Sequence, residues 1–388
     1  TESDQNTREK GDNLLNYLDV QDITRATSYS TPGNIVLTQY SLSYTPSAIG
    51  LWIARLFHLP LTIQVIFGRL FNLSFYVLVV FLALRLVPVK KTLFAAISLI
   101  ATMIFLAANY SYDSFLYAML LLGLTMTLRL RYSNDESIRT SQVLAILIIF
   151  TIGFSPKAIY VLLLGVMFIV PKCKFASKSD YAKYISSIFV FGFFSLATFV
   201  LPFFITGGSN VSDLRGGNEV NAFCQLCYVL QAPLSYFSIL GNSLIEWLNI
   251  NNQSIYMTYF GKLGMLGGVA IFIGLPLLFI AVTDTNNLSF KLITPFNVIF
   301  CLLIVFCLII LIPTALYISF TPVGNILING FQERYFYILL PTFLALCCNF
   351  KVQNCISKVI YNRSLLGFYQ FITLGATFFL LTSKLSIV

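Results

Sequence analysis

The sequence predicts an all-α fold, a polytopic transmembrane helical bundle with about ten spans, and three observations carry that expectation. Hydrophobic residues make up 57% of the 388 positions and charged residues only 10%, where a soluble domain carries about 25% charged. The apolar residues form uninterrupted blocks, many as long as the roughly 20 residues that a bilayer core requires. Lysine and arginine, in addition, are sorted into alternate loops between those blocks. A soluble chain of this length would divide its apolar residues among cores of about 100–200 residues each. The soluble classes are therefore excluded, and the net charge of +9 reads as a loop-orientation signal, with no nucleic-acid partner implied.

Residues 1–45 are polar and hold six of the 15 acidic groups, among them Asp4, Asp12, Asp19 and Asp22. Between Pro46 and Pro60 lies a short apolar stretch with Trp52, Arg55 and His58. It is too short to span, so an interfacial helix is expected. Spans are expected at about 61–87, 92–109 and 113–129. Residues 142–171 are apolar except at Ser155-Pro156-Lys157, and they read as two short spans meeting at that break, because proline and lysine are disfavoured at mid-bilayer. Further spans are expected at about 184–206, 263–283, 292–317, 335–350 and 365–383. The stretch 207–262 opens on Gly207-Gly208 and includes Gly216-Gly217, a flexible loop without the strand or the Lys-Ser/Thr of a phosphate cradle. Residues 224–248 then read as a partly amphipathic helix near the surface. Four regions result: 1–60, an external loop with an interfacial helix; 61–206, a first membrane block; 207–262, an external loop and helix region; and 263–388, a second membrane block.

One set of loops holds Arg85, Lys90, Lys91, then Arg129, Arg131, Arg139, then Lys172, Lys174, Lys178, Lys183, then Lys291, and finally Lys351, Lys358, Arg363. These are fourteen of the 24 Lys and Arg, all in short loops. That side is expected to be cytoplasmic, which puts 1–60 and 207–262 outside. Ten spans that start outside also end outside, so an eleventh helix is expected upstream of Thr1. Among the eight cysteines, Cys173, Cys301, Cys307, Cys347 and Cys348 sit in or beside apolar blocks and read as small buried hydrophobes. Cys224 and Cys227 are the one suggestive pair. With His58 the only histidine, no zinc site is expected. The cofactor is unknown: a divalent metal is compatible with the chain and implied by no residue pattern.

An ionisable residue at membrane depth marks function by default, because its burial is costly unless paired. Arg69, Asp113, Lys157 and the pair Glu333-Arg334 qualify, and all fall on the external side. Such a one-sided set points to a shared polar cavity open to the outside. Each also has a structural reading: Arg69 snorkels or pairs with Asp113, Lys157 and Arg334 anchor in headgroups, and Glu333 forms a local ion pair with Arg334. The external Tyr110, Tyr112, Tyr256 and Tyr259 suit the interface, and also sugar stacking.

Several ordered motifs resemble one bacterial family. They are Tyr40-Ser41-Leu42-Ser43-Tyr44-Thr45-Pro46, Gly68-Arg69-Leu70-Phe71-Asn72, Ser111-Tyr112-Asp113, Lys157-Ala158-Ile159-Tyr160 and Ile169-Val170-Pro171. Gln225 with Pro233, Gly261-Lys262-Leu263-Gly264 and Gly330-Phe331-Gln332-Glu333-Arg334-Tyr335-Phe336 complete the set. Together they cover most of residues 40–345 and resemble the membrane family called domain of unknown function 2142. Glu333 departs from it, standing where that family is expected to have glycine. The family in turn resembles the superfamily of membrane glycosyltransferases that use lipid-linked sugar donors. That likeness implies a carboxylate in the first external loop that deprotonates the acceptor hydroxyl, and basic groups that hold a polyprenyl phosphate. The acidic motif would then lie at or upstream of Thr1, and Asp4, Asp12, Asp19 and Asp22 remain unranked candidates. Asp113 is the carboxylate that both the depth argument and the likeness select as catalytic. Arg334, Lys157 and Arg69 become phosphate-binding candidates, with Tyr112, Gln332 and Tyr335 in support. The implied partners are a lipid-linked sugar donor, a glycan or glycolipid acceptor, and membrane lipids, in the bacterial cytoplasmic membrane. A transporter or flippase of a lipid-linked saccharide, or a non-catalytic scaffold of envelope assembly, remain as competing readings.

Overall fold

The computed structural model describes residues 41–133, 137–208, 212–213, 216–217, 219–248, 260, 269–284, 294–347 and 356–384. Expectations on Asp4, Asp12, Asp19, Asp22, Tyr256, Tyr259, Lys262, Lys291, Cys348 and Lys351 lie outside these residues. The described chain is all-helical. After a 3-10 turn at Ser41–Tyr44 come α1 (Thr45–Leu56), α2 (Leu61–Leu86), α3 (Lys91–Ser98), α4 (Ala101–Ala107), α5 (Tyr112–Tyr132) and α6 (Thr140–Phe154). A 3-10 segment at Ala158–Ile169 leads to α7 (Lys178–Ile205), α8 (Ala222–Gln231), α9 (Pro233–Leu248), α10 (Val269–Thr283) and α11 (Pro295–Phe320). The short α12 (Arg334–Tyr337) and irregular turns over Leu340–Thr342 and Phe343–Cys347 precede α13 (Lys358–Lys384).

Four helices are long and apolar enough to cross a membrane among the described residues: α2, α5, α7 and α11. The number rises to five if the bent α8–α9 pair counts as one span. They differ sharply in burial. The apolar window of α5 is 89% buried, against 11% for α7, so α5 is the hub and α7 shows most of its surface outward. Phe189, Phe193, Phe194 and Leu201 on α7 are all more than half exposed. A helix that keeps such residues outward suits a lipid boundary, where apolar surface costs nothing.

Expected span 365–383 lies in one helix, α13, of 27 residues, whereas blocks 92–109, 142–171 and 335–350 are built from shorter pieces. Block 92–109 is two helices, because the carbonyls freed between them find side-chain donors: Tyr76 donates to Ser98 at 2.7 Å and Thr373 to Leu99 at 3.2 Å. Such substitution is what allows an interrupted helix at membrane depth. Block 142–171 breaks at Ser155-Pro156-Lys157 as expected, and its second half winds as a 3-10 helix of 12 residues. At about 2.0 Å per residue that half reaches about 24 Å. Block 335–350 is irregular around Pro341, whose ring clashes with a continuing helix. The stretch expected as one surface helix at 224–248 is α8 and α9, bent by 109° at Ala232-Pro233, where proline bars the preceding residue from helical geometry.

The interfacial segment forms as α1, folded back on α2. The two approach so closely at Gly50 that a Cβ there would lie 2.5 Å from the Phe67 carbonyl oxygen. Trp52 and Phe57 remain 61% and 71% exposed, as an interfacial anchor requires. Cys301 is buried and Cys307 half-buried, whereas Cys173, expected among the buried thiols, is exposed because it sits in the polar turn between the 3-10 segment and α7. Cys224 is exposed too.

These two thiols test the orientation drawn from loop charge. In single-cysteine variants, Cys224 is expected to react with a membrane-impermeant maleimide added to intact cells, and Cys173 only after the membrane is opened. Labelling of both from the same side would reverse or abolish the assignment.

Candidate functional site

The turn at residues 109–111 fixes the start of α5. Ser111 caps the helix, its Oγ accepting from the Asp113 N–H at 3.2 Å, and Ser114 Oγ donates back to the Ser111 carbonyl at 3.0 Å. Asn109 Nδ2 donates to the Phe105 carbonyl at 2.7 Å. Across from it, Asn72 on α2 donates to the carbonyls of Ala107 and Asn109 at 3.0 and 2.7 Å and lies 3.3 Å from Ser114 Oγ. One buried amide thereby fixes the whole turn. Asp113 consequently occupies the first turn of α5, where the helix dipole favours a carboxylate.

Two distant segments bring cations to it. Lys157 stands at the break after α6, its N–H bonded to the Phe154 carbonyl at 2.7 Å, and its Nζ lies 3.1 Å from Asp113 Oδ1. Arg334 opens α12, with Nε 3.5 Å from Asp113 Oδ2. The aspartate side chain is 4% exposed, against 20% for Lys157 and 24% for Arg334. The carboxylate is therefore enclosed while both cations reach the surface, and the trio carries one net positive charge. Aromatic rings complete the lining. Lys157 Nζ is 3.8 Å from the Tyr335 ring centre and 5.0 Å from that of Tyr112, and Arg334 Cζ is 5.4 Å from Tyr335. Such cation–π contacts gain strength as water is excluded. Tyr160 holds the Tyr335 backbone by donating to its carbonyl at 2.8 Å, and Tyr44 sets its edge against Tyr112 at 6.1 Å.

The loop that delivers Arg334 is tied down at several points. Gln225 on α8 accepts from Gly324 N–H at 3.0 Å, Ser243 on α9 from Ile328 N–H at 3.1 Å, and Thr321 from Asn329 N–H at 3.0 Å. Gly330 has φ +74°, and a Cβ there would meet the Phe320 ring at 2.7 Å, so glycine is required on both counts. Glu333 needs no such freedom: its φ of −60° and ψ of −29° are ordinary helical values.

Of the residues expected from sequence, Asp113, Lys157, Arg334, Tyr112 and Tyr335 come together, and Gln332 flanks them in the chain. Arg69 is placed elsewhere, exposed on α2 and near enough to Tyr110 to act on its phenol. Tyr110 lies over Gly68, where a Cβ would sit 2.1 Å from its hydroxyl. Arg69 is not among the ion-pair partners of Asp113 in the described residues. A small cavity inside the bundle, lined by Tyr117, Leu121, Phe150, Leu163, Ile338 and Thr342, carries no charged group; the charges form a packed cluster apart from it. Among the described residues no three His, Cys, Asp or Glu side chains converge as a metal site. Asn72 and Tyr160 are the contributors that charge-based reasoning passed over. The signal for Asn72 is an amide, one of two with Gln64, in a 26-residue apolar helix.

A family model described as "Predicted membrane protein (DUF2142)" matches residues 8–343. No curated protein and no solved structure matches the chain.

Glu333, 6% exposed in the loop before α12, has its carboxyl pushed up to about 7 by burial, an effect partly offset by its own backbone N–H and by the charge of Arg334. A carboxyl raised from 4.5 to about 7 on folding is protonated in the native state across that interval. Stability should therefore fall as pH rises from about 4.5 through about 7, and level off above. Glu333→Gln should remove this fall and be the more stable form at pH 8, by up to about 3 kcal/mol. Melting curves across that pH range check it; parallel curves for both proteins would refute the protonated carboxyl.

Proposed function

We propose, from the geometry of its charged cluster, that this chain, which belongs to the DUF2142 family of predicted membrane proteins, is a cell-envelope glycosyltransferase of the bacterial cytoplasmic membrane. It moves a sugar from a polyprenyl-phosphate donor to the hydroxyl of a surface glycan or glycolipid. The observation that carries this reading is a buried carboxylate held by two cations that are themselves partly exposed. Lys157 and Arg334 take the phosphate, Arg334 through the paired N–H geometry that suits phosphate oxygens. As the glycosidic bond breaks, its electron pair passes to that phosphate oxygen, and fixed positive charge lowers the barrier by stabilising it. The acceptor oxygen bonds to the anomeric carbon and its proton passes to a carboxylate, for which Asp113 is the candidate inside the described residues. Tyr112 and Tyr335 keep Lys157 in place. In this reading the bundle completes about ten spans, with 1–60 and 207–262 outside; Arg69, on the same external side, assists by attracting the anionic donor toward the membrane face.

A transporter of the same lipid-linked saccharide is the second reading, favoured by the broken α8–α9 pair and by the break at Lys157. Discontinuous helices near charged groups are how many transporters build their binding sites.

Sugar transfer from a polyprenyl-phosphate donor, followed in membranes, decides between them. Wild-type protein should transfer, and Arg334→Ala and Asp113→Asn should each lower the rate by about 100-fold or more. Full activity in both variants would reject the site. Donor crossing the bilayer without sugar transfer would replace the enzyme reading with the transporter one.

A further inference from the structure

Three consecutive residues beside the cluster carry buried polar atoms without a hydrogen-bond partner among the described residues: Gln332 Oε1, Glu333 Oε1 and Arg334 Nε, the last at ion-pair distance, 3.5 Å, from Asp113 Oδ2. Buried polar atoms are paired in the great majority of cases, so three in sequence are a local excess. They do not stand on a loose segment. Gly330 is fitted under Phe320, the preceding loop is held by Gln225, Ser243 and Thr321, and Tyr335 is held by Tyr160. Such a frame is what a binding constellation needs in order to keep its geometry before the ligand arrives.

The atoms also define a chemistry. Arg334, paired through Nε with Asp113, is a partly exposed cation that suits an incoming anion. Gln332 and Glu333 offer oxygens, which call for hydroxyl or amide N–H groups on the ligand. An anion alone satisfies only the first of these. A phosphate with a polyhydroxylated group attached satisfies all three.

We infer that Gln332 and Glu333 recognise the sugar hydroxyls of a glycosyl phosphate whose phosphate group sits on Lys157 and Arg334. This rests on the lipid-phosphate reading above and adds the part that tells a loaded donor from the spent lipid. Glu333, buried and protonated through most of the range below neutral pH, both donates and accepts toward such a ligand, as a carboxylic acid does.

Binding of two probes to the full chain in lipid nanodiscs tests the inference: a polyprenyl phosphate, and the same lipid bearing one hexose on its phosphate. Wild-type protein should prefer the glycosylated lipid by about ten-fold, the worth of one or two hydrogen bonds. Gln332→Leu and Glu333→Leu, which exchange buried polar atoms for apolar ones of similar volume, should bind the bare lipid as wild type does and lose most of the preference. Glu333→Gln, which keeps an acceptor and a donor, should retain it. Arg334→Ala should weaken both probes alike. Equal binding of the two lipids by wild type, or an intact preference in both leucine variants, would overturn the inference. Failure to bind either lipid would instead overturn the phosphate reading on which it rests. Melting curves confirm that the variants are folded.

Discussion

Burying the Asp113 carboxylate governs the organisation of this end of the bundle. A carboxylate removed from water costs several kcal/mol, and only close, well-placed cations offset that. Here one comes from each of two segments far along the chain, Lys157 at 3.1 Å and Arg334 at 3.5 Å. The first turn of α5, the break after α6 and the loop after α11 are thereby tied to one point. Removing any one partner leaves the others with uncompensated charge in a low-dielectric setting, a loss on the order of 3–5 kcal/mol for a fully buried pair. The partial exposure of the two cations makes the figure smaller here and makes them available to an incoming anion.

That requirement explains the division of labour among the helices. The long ones, α2, α5, α7, α11 and α13, are continuous and form the frame. The three charged side chains of the cluster sit where helices begin or break, Asp113 in the first turn of α5, Lys157 after α6 and Arg334 at the start of α12. The opposite pole follows the same plan with a different outcome. Lys90, 1% exposed, donates to the Ala281 carbonyl at 2.5 Å, and Asp284 accepts from Leu93 N–H at 3.0 Å. Thr283 pairs with Tyr361 at 2.6 Å, and Thr92 donates to Asn362 at 2.8 Å. Those contacts join α3, α10 and α13 with the charged groups sealed inside. Both poles are polar clamps, and one of the two leaves its cations reachable.

The long helices and the Asp113 cluster were legible in the sequence because they rest on two robust signals: apolar length, and the cost of charge at membrane depth. Asp113, Lys157 and Arg334 stood out as charges in apolar surroundings, and they are the three that meet. Arg69 stood out by the same rule and does not join them, because a helix presents such a residue outward as readily as inward, and apolar composition all round α2 gives no face to read. The broken spans were harder. Nothing in residues 98–100 forbids a helix; the interruption depends on Tyr76 and Thr373 reaching their carbonyls, which is tertiary information. Pro156 with Lys157 marks its break in the sequence, whereas the bend at Pro233 is hidden there because the flanking residues look uniformly helical.

Two carboxyls at one end of the bundle, in different surroundings, invite different roles. Both oxygens of Asp113 are engaged, and its side chain is almost closed to solvent. A hydroxyl seeking a base would find no free oxygen there while the ion pairs hold. In the proposed reaction, a donor phosphate competes for the same cations, and the longer of the two contacts, Arg334 to Oδ2, is the one most readily exchanged. Drawing Arg334 onto the phosphate frees that oxygen, so binding the donor and exposing the base become one event. Glu333 sits on the other side of this exchange. Neutral, it leaves the positive charge of Arg334 undiminished for the phosphate; ionised, it would cancel part of it. The net charge of the cluster, positive by one with Glu333 protonated, is thus the quantity that makes an anion a better partner for Arg334 than Asp113 alone.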